Sequence, residues 1–179
     1  MKLKTKQQAM KRQLGMTLME LIAALAIIAT VIVGAVALYG NASSSSNAVG
    51  MTKDLMAVRS ATQQLFQGQG GYGTASLNST LITARKIPGD LSVSGSTIST
   101  PIGGTLTVTG NTSNFTMTVT NVPADVCTQM LTNLSTGWTS VKVGASAALT
   151  TFPVTPAIAT AAAQCGGTAP FSIVWTSLN

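Results

Sequence analysis

The chain has 179 residues, enough for one domain and an added segment. Ten Lys+Arg against four Asp+Glu give a formal net charge of +6, yet Lys2, Lys4, Lys6, Lys11 and Arg12 crowd half of the positive charge into the first 12 residues. Beyond residue 15, five basic and four acidic groups leave +1, which excludes a basic nucleic-acid-binding body, and the absence of His excludes His-dependent triads and the usual zinc sites. With 8% charged and 45% hydrophobic residues, such a chain spans a membrane or packs against copies of itself.

Residues 21–38 read LIAALAIIATVIVGAVAL, without a charge. Extended back to Met16, the apolar run covers 23 residues and is broken by one carboxylate, Glu20. At ~1.5 Å per residue such a helix is roughly 35 Å long and crosses a bilayer. The preceding basic residues are expected on the cytoplasmic side and the rest of the chain outside. A cleaved secretory signal normally has an apolar region of ~7–15 residues and a small-residue cut site, and Ala42-Ser43-Ser44 makes a weak one. An uncleaved signal anchor fits the length better.

Glu20 needs a further explanation. A carboxylate in an apolar span costs ~2.5–3.5 kcal/mol on insertion scales and calls for a partner, and no basic residue lies between 16 and 53. A new α-amino group, made by cleavage just before the apolar run, is the nearest conceivable cation. It could come from the same chain or from a staggered neighbour. In the second case the charge pair sets the register of an assembly.

After the Ser43–Ser46 run, Ala48, Met51, Leu55, Val58, Thr62 and Leu65 recur at alternating steps of three and four, the stripe of an amphipathic helix with one packed face. The spacing predicts one long helix from about residue 17 to 66. Gly34 within it costs ~1 kcal/mol relative to Ala and marks either a bend or a helix–helix contact. Gln67-Gly68-Gln69-Gly70-Gly71-Tyr72-Gly73 ends the helix. Residues 74–103 read as a surface loop with a short helix or strand near 77–86. The period-two runs 105–109 and 115–120 predict a β-hairpin. Pro123-Ala124-Asp125 opens another helix with Val126, Met130, Leu131 and Leu134 on its apolar face. Residues 138–143 and 171–175 read as two more strands, and 144–164 as loop with a helical turn at 156–164.

No constellation for catalysis is present. Asp54, Asp90 and Asp125 are scattered, and neither a Gly-x-Ser-x-Gly elbow nor a phosphate loop occurs. No catalytic residue, cofactor or metal site is therefore expected, and the chain is not expected to be an enzyme.

Lys11-Arg12-Gln13-Leu14-Gly15-Met16-Thr17-Leu18-Met19-Glu20-Leu21 resembles the class III signal of type IV pilins. The resemblance implies that a prepilin peptidase cuts after Gly15 and methylates the new amine of Met16, and that Glu20, the fifth mature residue, sets assembly register. Met at the first mature position is similar to the type IVb subclass. Cys165-Gly166-Gly167-Thr168-Ala169-Pro170-Phe171 resembles the segment after the second Cys of toxin-coregulated-type pilins. Length and Cys pair are similar to bundle-forming pilins and the thin-pilus pilins of conjugative plasmids. Residues 67–120 match no family motif. For an exported chain, Cys127 and Cys165 are expected to form a disulfide rather than remain buried free thiols. In the family such a pair bounds a variable surface region.

The implied fold is α+β: a long N-terminal helix, half of it hydrophobic and protruding, packed on an antiparallel-rich β-sheet domain. The expected organisation is a cleaved leader 1–15, a transmembrane and filament-core helix 16–40, and a pilin domain 41–179. That domain comprises the amphipathic helix 43–66, a variable loop 67–103 and a sheet with the disulfide-bounded region at 104–179. The expected function is the major subunit of a type IVb pilus used for cell–cell contact, conjugation or adherence. The alternatives are a minor pilin, a type II secretion pseudopilin, or a membrane-anchored exported domain. Expected partners are other copies of the chain, the prepilin peptidase, the inner-membrane assembly machinery and the membrane itself as precursor, with no direct nucleic-acid binding. The expected location is the inner membrane and then the extracellular pilus of a Gram-negative bacterium.

Overall fold

The computed structural model describes residues 17–134 and 136–177. The basic leader, Gly15 and Met16 lie outside them. The chain divides into two compact units, Met1–Gly40 and Asn41–Asn179.

In the first unit the described residues belong almost wholly to helix α1, Leu18–Leu65, which continues into the second. Ala, Leu and Met favour the helix, and no Pro interrupts it. Its apolar side chains remain uncovered: Leu25 exposes 57% of its surface and Ile27 65%. An 18-residue window reaches a mean hydropathy of 2.9, long and apolar enough to cross a membrane.

In the second unit the rest of α1 lays one face on a core. Ala48, Met51, Leu55, Val58 and Thr62 are buried and Leu65 is half-buried, as the stripe predicts. Thr62 Oγ1 donates to the Val58 carbonyl at 2.7 Å, so this polar member of the stripe is satisfied within the helix. The other side of the core is a six-stranded antiparallel sheet in the order β1-β2-β3-β4-β6-β5. The strands are β1 Ser92–Ser94, β2 Thr97–Ser99, β3 Thr105–Gly110, β4 Phe115–Val122, β5 Trp138–Val143 and β6 Phe171–Ser177. In β3, β4 and β6 buried and half-buried residues alternate, the period of a sheet with one covered face. Leu106, Val108, Phe115, Met117, Val119, Ile173 and Trp175 point into the core. Threonines line the opposite face.

The β3–β4 hairpin closes at the Gly110–Phe115 pair, and Asn111 N donates to Asn114 O at 2.7 Å. The register of β4 against β6 slips between Val119 and Val122, where Asn121 adopts φ 57°. Such a bulge bends the strand. Helix α2, Asn78–Thr83, falls inside the window expected for a short element. The stretch 67–103 is more regular than its composition suggests, because it also carries the β1–β2 hairpin. Two side chains explain this order: Leu81 and Ile98 are fully buried. Asn78 adds a tether, accepting from Val108 N at 2.8 Å and donating to the Leu106 carbonyl at 3.1 Å. Helix α3, Ala124–Asn133, starts after Pro123 and buries Val126, Cys127, Met130 and Leu131. Helix α4, Pro156–Ala159, is the turn expected in 156–164.

Candidate functional site

The first candidate lies at the start of α1. Glu20 N donates to Thr17 Oγ1 at 3.3 Å and to the Thr17 carbonyl at 3.0 Å. Thr17 therefore caps the helix, and Thr17-x-x-Glu20 has the residue pattern of a capping box. Glu20 sits in the first helical turn, where unpaired N–H groups favour a negative charge. This local role is additional to any pairing of Glu20 with a formal cation. The Ser/Thr-x-x-Glu spacing is the signal that could have found it.

The second candidate is the disulfide-bounded surface. Cys127 of α3 and Cys165 are joined, with Cα atoms 5.8 Å apart. The bond ties α3 to the segment after α4, and both cysteines are buried. Asp125, in the first turn of α3, accepts a hydrogen bond from the Ser44 hydroxyl of α1. That bond, opposed by partial burial and helped by backbone N–H groups, holds the Asp125 carboxyl below its usual pKa. The Ser43–Ser46 run thus supplies a tether between α1 and α3.

Two charged side chains of α1 are more buried than their composition predicts. Asp54 is 1% exposed, and neither of its carboxylate oxygens has a hydrogen-bond partner. Burial pushes its pKa up, the nearby Asp90 charge pushes it further, and Lys53 partly opposes both. Asp90 itself pairs with Lys53 at 3.8 Å on the exposed surface. The acids Asp54 and Asp90, scattered in sequence, thus come within electrostatic reach, whereas Asp125 has its own partner. Asp54 lies three residues after Met51 and four before Val58, so its place on the buried stripe was legible. Arg59 stacks over Trp138, with Cζ 5.3 Å from the ring centroid. Its burial lowers the guanidinium pKa, and Tyr72 acts in the opposite sense. Among the described residues no group of three or more His, Cys, Asp or Glu is placed to hold a metal ion.

Comparison with known families finds two matches in succession along the chain, separated by residues 37–44. The prokaryotic N-terminal methylation motif matches residues 10–36, a segment that holds Lys11, Arg12, Gly15, Glu20 and most of the apolar run. The family described as PilS N terminal matches residues 45–178, which spans the core face of α1, the whole sheet and both cysteines. No curated protein matches the chain.

Proposed function

The chain belongs to the PilS N-terminal family, joined to a prokaryotic N-terminal methylation motif as in a type IV pilin, and on that premise we propose that it is the major structural subunit of a type IVb pilus. The observation that carries this reading is the apolar half of α1. Leu21, Ile22, Leu25, Ile28 and Ile32 are exposed, while a complete core exists without them. Lipid covers these side chains in the precursor, and neighbouring helices cover them in a filament. Exchange of one apolar surrounding for another is nearly neutral in hydrophobic terms, so close packing and polar contacts must supply the specificity.

In this reading the prepilin peptidase cuts after Gly15 and methylates Met16. The Glu20 carboxylate then meets the Met16 amine of an adjacent subunit. A misaligned pair leaves a carboxylate in an apolar surrounding at a cost of ~2.5–3.5 kcal/mol, so the stagger that restores the pair is selected. The Ser/Thr-rich, near-neutral domain coats the fibre, and its use is cell–cell contact, conjugation or adherence from a Gram-negative surface. In Glu20→Ala, immunoblots are expected to show normal cleavage, and electron microscopy is expected to show no filaments. Normal piliation in that variant refutes the register role. Intact mass supplies an independent check: loss of residues 1–15 with one added methyl is expected. A mature chain that retains its leader ends the pilin reading.

A further inference from the structure

A cleft of about 530 Å³ opens at the C-terminal end of α1, where the glycine-rich turn 67–73 meets the β3–β4 loop. Ligand pockets commonly span ~300–1,000 Å³. The cleft wall combines the amides of Gln64, Gln67 and Gln69, the hydroxyls of Ser60 and Ser113, and the ring of Tyr72. No Asp, Glu, Lys or Arg lines it. A charged ligand would lose hydration there without gaining a counter-charge.

Amides and hydroxyls donate and accept at once. They suit a ligand whose groups do the same, which is the property of sugar hydroxyls. Gln64 Nε2 donates to Ser60 Oγ at 3.3 Å, which orients that amide. Tyr72 supplies the apolar element. Its ring lies 5.4 Å from Phe66 and 4.9 Å from Phe115, tilted against each, so it is held in place from two sides. A fixed aromatic face offers the C–H face of a pyranose a packing surface.

The turn is also seated rather than loose. Any Cβ on Gly71 would collide with the Thr112 carbonyl, and one on Gly110 would collide with the Tyr72 carbonyl. These two close approaches press the turn onto the hairpin, and Gly110 N donates to the Ala75 carbonyl at 2.9 Å. A preformed wall lowers the ordering cost of binding.

We propose that this cleft binds a neutral oligosaccharide. An extended peptide is the less suitable occupant: the cleft has few apolar subsites beside Phe66 and Tyr72 for its side chains. The proposal does not depend on polymerisation, although a filament would repeat the cleft along its length and raise avidity.

The test uses the whole chain as purified in a zwitterionic detergent, which has no sugar headgroup, and saturation-transfer NMR. Maltose, lactose, cellobiose and diacetylchitobiose are the neutral probes; sialyllactose and glucose 6-phosphate are the charged ones; a Gly-Ser pentapeptide tests the alternative. At least one neutral disaccharide is expected to bind, and the charged sugars and the peptide are not. Tyr72 also packs on Phe115, so Tyr72→Ala disturbs the core. Gln67→Ala and Gln69→Ala, at exposed positions, carry the test without that effect. Each is expected to weaken binding roughly three- to tenfold, the scale of one lost hydrogen bond. Failure of every neutral probe, binding unchanged in both Gln variants, or preference for the peptide or a charged sugar overturns the proposal. Because the assay needs no filament, a chain that fails to polymerise still gives a reading.

Discussion

The two parts of α1 are equally helical but differ in what covers them. Before Gly40, Leu25, Ile28 and Ile32 expose 57%, 52% and 56% of their surfaces; after Asn41, Met51, Leu55 and Val58 expose 1% or less. Both parts are rich in side chains that avoid water. The difference lies in pattern: the first is apolar all round, and the second has a single apolar stripe between polar faces. An all-round apolar helix cannot be satisfied by one sheet, whereas a stripe can. The first part is therefore built for an environment outside its own chain, and the second for its own core.

The strongest way to sharpen this contrast is to remove the covalent tie within the second unit. Its disulfide closes a loop of sequence separation 38, so Cys127→Ser with Cys165→Ser is expected to lower stability by about 4 kcal/mol from loop-closure entropy. Urea melts of the detergent-solubilised chain would measure it. Stability unchanged by the double variant contradicts the role assigned to the bond.

A paired substitution tests the two halves of the helix directly. Leu55→Ala, at a fully buried site, is expected to cost about 2–5 kcal/mol. Ile28→Ala removes similar bulk at an exposed site and is expected to leave the melt of the domain within about 0.5 kcal/mol. Equal losses from the two would break the comparison.

Asp54 gives a pH-dependent test. Its folded pKa is raised, chiefly by burial, so the folded state holds the proton more tightly than the unfolded chain. Stability is then expected to fall as pH rises from the ordinary carboxylate value, about 3.9, through the raised folded value, and to level off above it. Asp125 has the opposite sign: its pKa is lowered by the Ser44 hydrogen bond, so its contribution is lost only as pH falls below the ordinary value. Asp54→Leu should be more stable than the parent at neutral pH and should lose the slope above the ordinary carboxylate value. A slope that persists in that variant assigns the effect elsewhere.

The smallest expected effect is at Arg59. Arg59→Met keeps most of the apolar stem but loses the charge over Trp138, for an expected loss of about 1 kcal/mol. In Trp138→Leu the same change should cost less, and a double-mutant cycle measures the coupling.

Much of the architecture was legible because it rests on local pattern. The stripe from Ala48 to Leu65, the alternation in β3 and β4 and the Pro123 start of α3 each express one period or one capping rule. The β1–β2 hairpin was not legible. Its strands have three residues each, too few for a period, and they are held by the burial of Ile98 in the core and by the bond that Asn78 donates to the Ser96 carbonyl in their turn. The cleft beside Tyr72 was hidden for the same reason: Ser113 joins Gln64 and Gln67 only after the hairpin folds back.

What the sequence determined alone was the kind of environment each segment requires. A 23-residue apolar run with one carboxylate, and a helical stripe recurring at steps of three and four, state their partners through hydropathy and spacing, which are properties of neighbours along the chain. What only the tertiary structure decided was which distant groups meet: Asp54 with Asp90, Asp125 with Ser44, Arg59 with Trp138, and the glutamine-rich turn with the β-hairpin. Such pairings depend on loop closure and sheet register, and no local pattern of residues encodes them.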